Sequence, residues 1–173
     1  MPEHHFRKGK YLLIHMDDAG VSLAANKSVI RLFQKEIARS ASVLVNAPWA
    51  YDMIRWCREN PEADIGVHLT HTCEYSRVRW KPAANSESVP TLLDQDGFLF
   101  PSTCEVAQRA DTDEFRTEME AQISQAERWG LRPSHVDNHM VSVAGKPEFY
   151  QAYLETARKF GTVLTRNKTI FLD

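Results

Sequence analysis

Residues 11–20 read YLLIHMDDAG, a short apolar run that ends in two aspartates, an alanine and a glycine. An apolar run of this length, followed at once by polar and turn-forming residues, is typical of a buried strand that enters a loop. The stretch therefore predicts a strand over residues 11–16 and a loop over residues 17–20.

The same kind of pattern continues along the rest of the chain. Apolar residues recur at helical spacing in four segments, residues 24–36, 51–59, 113–129 and 147–160. Between them, short apolar runs predict strands over residues 41–45, 64–69, 134–137 and 162–165. Strands that alternate with helices in this order indicate an α/β fold with a mostly parallel sheet.

Residues 70–112 interrupt this alternation. The segment shows no helical or strand periodicity, and it contains Pro82, Pro90 and Pro101. Because structureless connections of this length are uncommon unless they serve a function, we expect a functional insertion close to the site. We predict one domain over residues 1–173, of which residues 70–112 form this long insertion.

Composition and charge exclude several classes of protein. A formal charge of -2 over 173 residues gives no basic surface for nucleic acid. No apolar run approaches the ~18–20 residues that span a bilayer. The start of the chain has no apolar core or cleavage site of a secretory signal. We therefore expect a cytoplasmic protein that binds neither nucleic acid nor a membrane.

Ionisable side chains concentrate at the ends of three predicted strands, as Asp17 and Asp18, then His68 and His71, then His135, Asp137 and His139. Taken singly, an aspartate pair before glycine is often a turn or a helix cap, and a lone histidine is often a hydrogen-bonded core residue. Together they are harder to bury, because buried charges need pairing or a metal. The carboxyl ends of parallel strands are also where active sites lie in such sheets.

Imidazole and carboxylate ligands with an open coordination position are typical of hydrolytic sites for Zn²⁺, Co²⁺, Ni²⁺ or Mg²⁺. Such an ion polarises a carbonyl group and lowers the pKa of bound water. A second carboxylate beside it can act as general base, and Asp17, next to Asp18, could supply that group.

Three blocks of the sequence carry a family resemblance. LLIHMDDAG, DIGVHLTHT and RPSHVDNHM resemble, in order and spacing, the signature blocks of the YdjC-like carbohydrate deacetylases, which include chito-oligosaccharide deacetylases. The match covers essentially residues 11–160. His15 and the pattern VRWKP followed by VPTLLDQDGFLF resemble a subgroup of that family.

The resemblance implies a distorted or incomplete (β/α) barrel with one divalent metal ion, magnesium or zinc in the first place and cobalt or nickel as alternatives. By position it implies Asp18, His68 and His139 as ligands. Asp17 would be the general base. The residues that orient the ligands would be His135, Asp137 and His15, because a metal-bound imidazole needs a partner on its other nitrogen. The substrate would be an N-acetylated sugar or short oligosaccharide.

Aromatic and basic side chains are the candidates for contacting that sugar. We select Trp49, Arg79 and Trp80, with Tyr75 and Arg77 beside them. For Trp49 and Trp80, packing in the core is an equal alternative.

The chain departs from the family pattern in three ways. Asn138 precedes His139 in the third block, and His71 stands where an apolar residue is usual. Family members also continue beyond the position of Asp173, into a stretch with a late histidine that acts as general acid. A catalytically silent metal-binding or assembly fragment is therefore the alternative function.

A homodimer, in which a second copy completes the unit, is a further expectation. A phosphoester hydrolase is a third possibility, for which two metals would need more carboxylates.

Overall fold

The computed structural model of the protein describes residues 12–164. Along them strands and α-helices follow in the order β1 His15–Ala19, α1 Leu23–Gln34, β2 Ser40–Val43, α2 Ala50–Glu59, β3 Asp64–Leu69, α3 Thr103–Arg109, α4 Thr112–Arg128, β4 His135–Asn138, α5 Pro147–Phe160 and β5 Val163–Leu164. Short 3-10 turns lie at Ser86–Ser88, Pro90–Leu92 and His139–Ala144.

The strands form one sheet in sequential order, β1-β2-β3-β4-β5, and every neighbouring pair is parallel. Because β-α-β crossovers are right-handed, a sequential order places the connecting helices on the same face of the sheet. This is the arrangement of a (β/α) barrel wall rather than of a doubly wound sheet. The predicted α/β fold with parallel strands is confirmed.

The sheet is strongly curved. In a flat sheet β1 and β4 would lie about 14 Å apart, since neighbouring strands are about 4.8 Å apart. Nevertheless Nε2 of His15 lies 3.0 Å from Oδ2 of Asp137, and the rings of His15 and His135 are 5.2 Å apart. The concave face of the sheet therefore encloses polar side chains from strands that are not neighbours.

Strand β3 shows how the two faces of the sheet differ. Ile65, Val67 and Leu69 belong to the hydrophobic core, whereas Gly66 and His68 alternate with them and face the other side. The apolar core thus lies between the sheet and its helices, and the interior of the curve is polar. Every functional side chain proposed for the metal centre projects from that polar face or from the strand ends above it.

Strand β1 differs from its prediction. It begins at His15, because pairing with β2 starts at Ser40, and Leu12 before it is 88% exposed. The strand also continues through Ala19, where a loop was predicted. Tyr11, the predicted first strand residue, lies outside the described residues. Pairing shifts between Met16 and Ala19, which is the signature of a β-bulge.

The bulge determines where the two aspartates point. Asp18 has a φ of 61°, a left-handed conformation that is uncommon for a residue other than glycine. In a regular strand, consecutive side chains face opposite sides of the sheet. Here the extra residue turns both Asp17 and Asp18 toward the concave side, where each lies close to a histidine.

The segment 70–112 is more regular than predicted, because it contains α3. Part of it is also anchored to α4 through Glu118, a fully buried residue. The Glu118 carboxylate accepts hydrogen bonds from the backbone amides of Ala83 and Ala84 and from the side chain of Asn46, each at 2.9 Å. The segment is therefore packed onto the strand-end side of the sheet. Among the described residues, no helix is long and apolar enough to cross a membrane.

Candidate metal centre

The structure brings Asp18, His68 and His139 together. One potential ligand atom from each lies within 4.8 Å of the other two. Oδ1 of Asp18 is 3.1 Å from Nδ1 of His139 and 3.3 Å from Nε2 of His68. The bulge in β1 supplies the aspartate, β3 supplies His68, and His139 follows directly after β4.

The pairing of these atoms fits a divalent cation. Oδ1 of Asp18 is buried and has no partner with hydrogen-bond geometry, although two imidazole nitrogens are close to it. The other nitrogen of each ring faces a different carboxylate: Nδ1 of His68 is 2.8 Å from Asp137, and Nε2 of His139 is 3.0 Å from Glu74. A neutral ring that donates to its outer carboxylate therefore turns a lone pair toward Asp18. Only a proton or a metal ion between these atoms removes the repulsion.

Without a metal, the carboxylates around the two rings favour the protonated forms of His68 and His139. Burial lowers the pKa of His68, but the carboxylates of Asp137 and Asp18 outweigh burial and raise this pKa to about 10. The same two effects act on His139: burial lowers its pKa, but Asp18 and Glu74 outweigh burial and raise it. The nearby imidazoles of His139 and His68 hold the pKa of Asp18 well below its usual range. A metal that binds here must displace protons, so its affinity depends on pH.

Asp137, in β4, lies on the concave face level with His68, which is its register partner in β3. Burial raises the pKa of this carboxyl, but hydrogen bonds from His15, His68 and Ser42 together hold it well below its usual range. Ser42 donates to Oδ2 at 2.9 Å, and Nε2 of His15 is 3.0 Å from the same oxygen. The Asp137 carboxylate thus orients two rings: that of His68, which faces Asp18, and that of His15, which lies beneath His68.

His135 is the first residue of β4 and lies level with Gly66, so it is deeper than His68 and His139. Its ring lies against Gly66, where any Cβ would overlap it. Nδ1 of His135 is 2.8 Å from the hydroxyl of Ser134, while its Nε2 is buried without a hydrogen-bond partner. His135 therefore supports the ring of His15 rather than either imidazole beside Asp18.

Asp17 differs from its neighbour in accessibility. Its side chain is 60% exposed, and Oδ1 is 3.2 Å from Nε2 of His15. The Asp17 carboxylate is thus open to solvent, next to Asp18 in the chain and within ion-pair distance of a histidine nitrogen.

A cavity of about 580 Å³ adjoins the cluster, and Glu74, Tyr75, Arg79 and Arg109 are among the residues that line it. Arg79 is held by Asp94 at 2.6 Å. The cavity thus begins at the carboxylate that faces His139 and extends along the segment 70–112.

The aromatic candidates differ in position. Trp80 is 3% exposed and packs in the core, with its indole N–H donating to the carbonyl of Thr72. Tyr75, whose ring centre is 5.5 Å from that of Trp80, is 41% exposed. Trp49 is equally exposed, at the start of α2.

Two residues near the cluster have roles that the pattern of the sequence did not indicate. Glu74 was not selected at all, since it lies in an aperiodic segment; the available signal was an acidic residue shortly after β3. His71 is fully buried and stacks on Phe115 with ring centres 3.4 Å apart. Burial lowers the pKa of His71 to about 3, so it is a neutral core residue.

A curved parallel sheet with aspartate and histidine side chains gathered at its strand ends defines a class of α/β proteins with a candidate metal centre. Within that class the chain belongs to the YdjC-like protein family, whose model matches residues 11–171.

Sequence and structure comparisons with individual proteins support this membership. A carbohydrate deacetylase of Thermoanaerobacter pseudethanolicus is 30% identical over 87% of this chain and 58% of its own length. One of Geobacillus stearothermophilus is 30% identical over 75% of this chain and 49% of its own length. A solved structure from Enterococcus faecalis, proposed by its name as a cellobiose-phosphate cleavage protein, shares 27% identity with a TM-score of 0.82; the match covers 91% of this chain and 59% of that one. The chain thus spans about half to three-fifths of the length of these relatives.

Proposed function

We propose that this chain carries the metal centre of a carbohydrate deacetylase, which hydrolyses the acetamide of an N-acetylated sugar or short oligosaccharide. The observation that supports the proposal most directly is the buried Oδ1 of Asp18, which faces one nitrogen each of His68 and His139 without hydrogen-bond geometry. Two imidazoles and one carboxylate leave coordination positions open for water and substrate. The relatives named above as carbohydrate deacetylases support the choice of reaction.

In this proposal Asp18, His68 and His139 hold one divalent ion, with magnesium or zinc as first choices and cobalt or nickel as alternatives. When bound, that ion supplies Lewis-acid chemistry: it makes water more acidic and polarises a carbonyl. Asp137 keeps the proton of His68 on Nδ1, so that Nε2 stays free to coordinate.

Asp17 acts as general base in the proposed reaction. Its exposed carboxylate accepts a proton from the attacking water, and His15 holds it in place from below. The proton on Asp17 is then available to the departing nitrogen, so that acetate and a free amine leave. General-base catalysis of this kind contributes about 10²–10⁴-fold, which sets the loss expected for Asp17→Asn.

The sugar would occupy the cavity beside Glu74. Arg79 and the exposed Tyr75 line that cavity, and the ring of Tyr75 offers an apolar face for a sugar. Trp49, which is exposed at the start of α2, is not among the lining residues, so its contact with the sugar stays a prediction. Trp80, a core residue here, would act by supporting Tyr75. The homodimer and the cytoplasmic location stay predictions.

Two measurements test the proposal. Elemental analysis should find one metal ion per wild-type chain and none in Asp18→Ala or His139→Ala; stoichiometric metal in either variant would refute the ligand assignment. Acetate release from N-acetylated chito-oligosaccharides, with added Zn²⁺ or Mg²⁺, should depend on Asp17.

A silent metal-binding or assembly fragment stays the alternative prediction. It predicts stoichiometric metal with no acetate release from any of these sugars. Turnover that is lost in Asp17→Asn while the metal is retained would exclude this candidate.

A further inference from the structure

The surroundings of His139 resemble those of His68. Each ring directs one nitrogen toward Oδ1 of Asp18 and the other toward a second carboxylate. For His68 the second carboxylate is Asp137; for His139 it is Glu74, whose Oε2 and Oε1 lie 3.0 and 3.1 Å from Nε2.

Resting on the metal centre proposed above, we propose that Glu74 is the positioning residue of His139. By accepting a hydrogen bond from Nε2, it selects the tautomer in which Nδ1 carries a free lone pair. That lone pair points toward Asp18, where the ion would lie. Outer partners of this kind both orient the ring and increase its basicity.

His139 needs such a partner more than His68 does. His68 is an interior residue of β3: it is paired with Asp137 of β4, and the preceding residue, Val67, is paired with β2 as well. His139 instead begins a 3-10 turn, and the next two residues, Met140 and Val141, have left-handed φ values of 52° and 54°. Because no strand fixes this backbone, side-chain contacts must set the orientation of the ring.

Glu74 is suited to this task by its own anchoring. The preceding residue, Cys73, donates its backbone amide to the carbonyl of Phe100 at 2.8 Å, and Thr72 forms a parallel bridge with Phe100. The carboxylate therefore projects from a fixed point of the segment 70–112.

Direct ligation by Glu74 at the same ion does not fit the geometry. The two nitrogens of an imidazole ring diverge, and Glu74 contacts Nε2 whereas Asp18 faces Nδ1. A single ion between Asp18, His68 and His139 would thus lie on the far side of the ring from Glu74. The carboxylate acts through His139.

Zinc affinity of the full chain, measured by calorimetry, tests the proposal without relying on turnover. Outer-partner substitutions typically weaken metal binding about 10–100-fold. We expect the Kd for Zn²⁺ to rise by about a hundredfold in Glu74→Ala. In Glu74→Gln, whose amide oxygen can still accept from Nε2, we expect a rise of about tenfold. Glu105→Gln is the matched control, because Glu105 lines the same cavity but is bonded to Ser102; its Kd should equal that of the wild type.

The ¹⁵N NMR signals of His139 supply a readout that a general loss of stability would not produce. The zinc-bound wild type should show a protonated Nε2 and a coordinated Nδ1, and Glu74→Ala should lose this single tautomer. If Glu74→Ala fails to fold, Glu74→Gln decides: a Kd equal to that of the wild type overturns the role of Glu74. No zinc binding by the wild type would overturn the metal centre as well, so the two failures are distinguishable.

Discussion

Replacing Asp137 by asparagine removes a negative charge from the metal centre and keeps the shape of the side chain. Oδ1 of Asp137 faces Nδ1 of His68, while Oδ2 faces Ser42 and His15. Asparagine can keep its oxygen toward His68 and turn its amide toward Ser42, whose hydroxyl can accept. We therefore expect Asp137→Asn to fold and to bind metal, but with a different dependence on pH.

Two effects of this substitution oppose each other. Loss of the outer carboxylate weakens the bond from His68 to the metal, by about tenfold at the lower end of such effects. The same loss lowers the pKa of His68 from about 10, so fewer protons must be displaced. At pH 7 a pKa of about 10 means that displacing this proton costs about 4 kcal/mol, and the variant avoids part of that cost. The deficit of Asp137→Asn should therefore be small near neutral pH and should grow as the pH rises.

Calorimetric titration with Zn²⁺ between pH 6 and 8.5 measures this dependence. For the wild type, log Kd should fall as the pH rises, because His68, whose pKa is about 10, must release a proton when the metal binds. For Asp137→Asn the slope should be shallower than that of the wild type, by up to about one per pH unit, above the lowered pKa of His68. Asp64→Asn, on β3 but beside Ser134, is the control and should keep the wild-type slope. Parallel lines for the wild type and Asp137→Asn would refute the proposed link between Asp137 and His68.

Three further predictions concern stability. In Gly66→Ala the new methyl group would overlap the His135 ring, so we expect a loss of about 1–3 kcal/mol from overpacking, seen as a lower Tm by circular dichroism. Glu118→Gln places an amide donor against the backbone N–H of Ala84, so the free energy of unfolding in urea should fall by about 1–3 kcal/mol. Glu120→Gln, on the surface of the same helix, is the control and should stay within about 1 kcal/mol of the wild type. With metal removed by chelator, the raised pKa of His68 stabilises the fold below pH 6.5, and this stabilisation is lost as the pH rises toward about 10; equal urea midpoints at pH 6.5 and 9.5 would contradict it.

Local sequence pattern was sufficient where an element is determined by its own residues. Strand β3 occupies Asp64–Leu69, the range predicted from its apolar run, because core contacts on one face match its alternation. The strand-end pattern predicted that aspartate and histidine side chains would gather at one edge of the sheet, and the family resemblance singled out Asp18, His68 and His139. The structure brings these three together. That they bind a metal stays a prediction.

Features that depend on tertiary contacts were not predictable in this way. The bulge in β1 arises from the register of its pairing with β2, which no local pattern encodes. Glu74 reaches His139 only because the aperiodic segment folds back over the strand ends. The burial of Trp80 likewise follows from packing of that segment rather than from residue type.

The curvature of the sheet has a consequence for the order in which the protein is made. His15 and Asp137, which it brings into contact, are 122 residues apart, and His68 and Asp137 are 69 apart. During synthesis, Asp18 and His68 emerge long before His139, so the nascent chain offers an incomplete set of ligands. Closing such a long loop costs more chain entropy than pairing strands that are close in sequence. We therefore expect this centre to become competent late, and a bound ion would then hold the first and fourth strands together as a crosslink does.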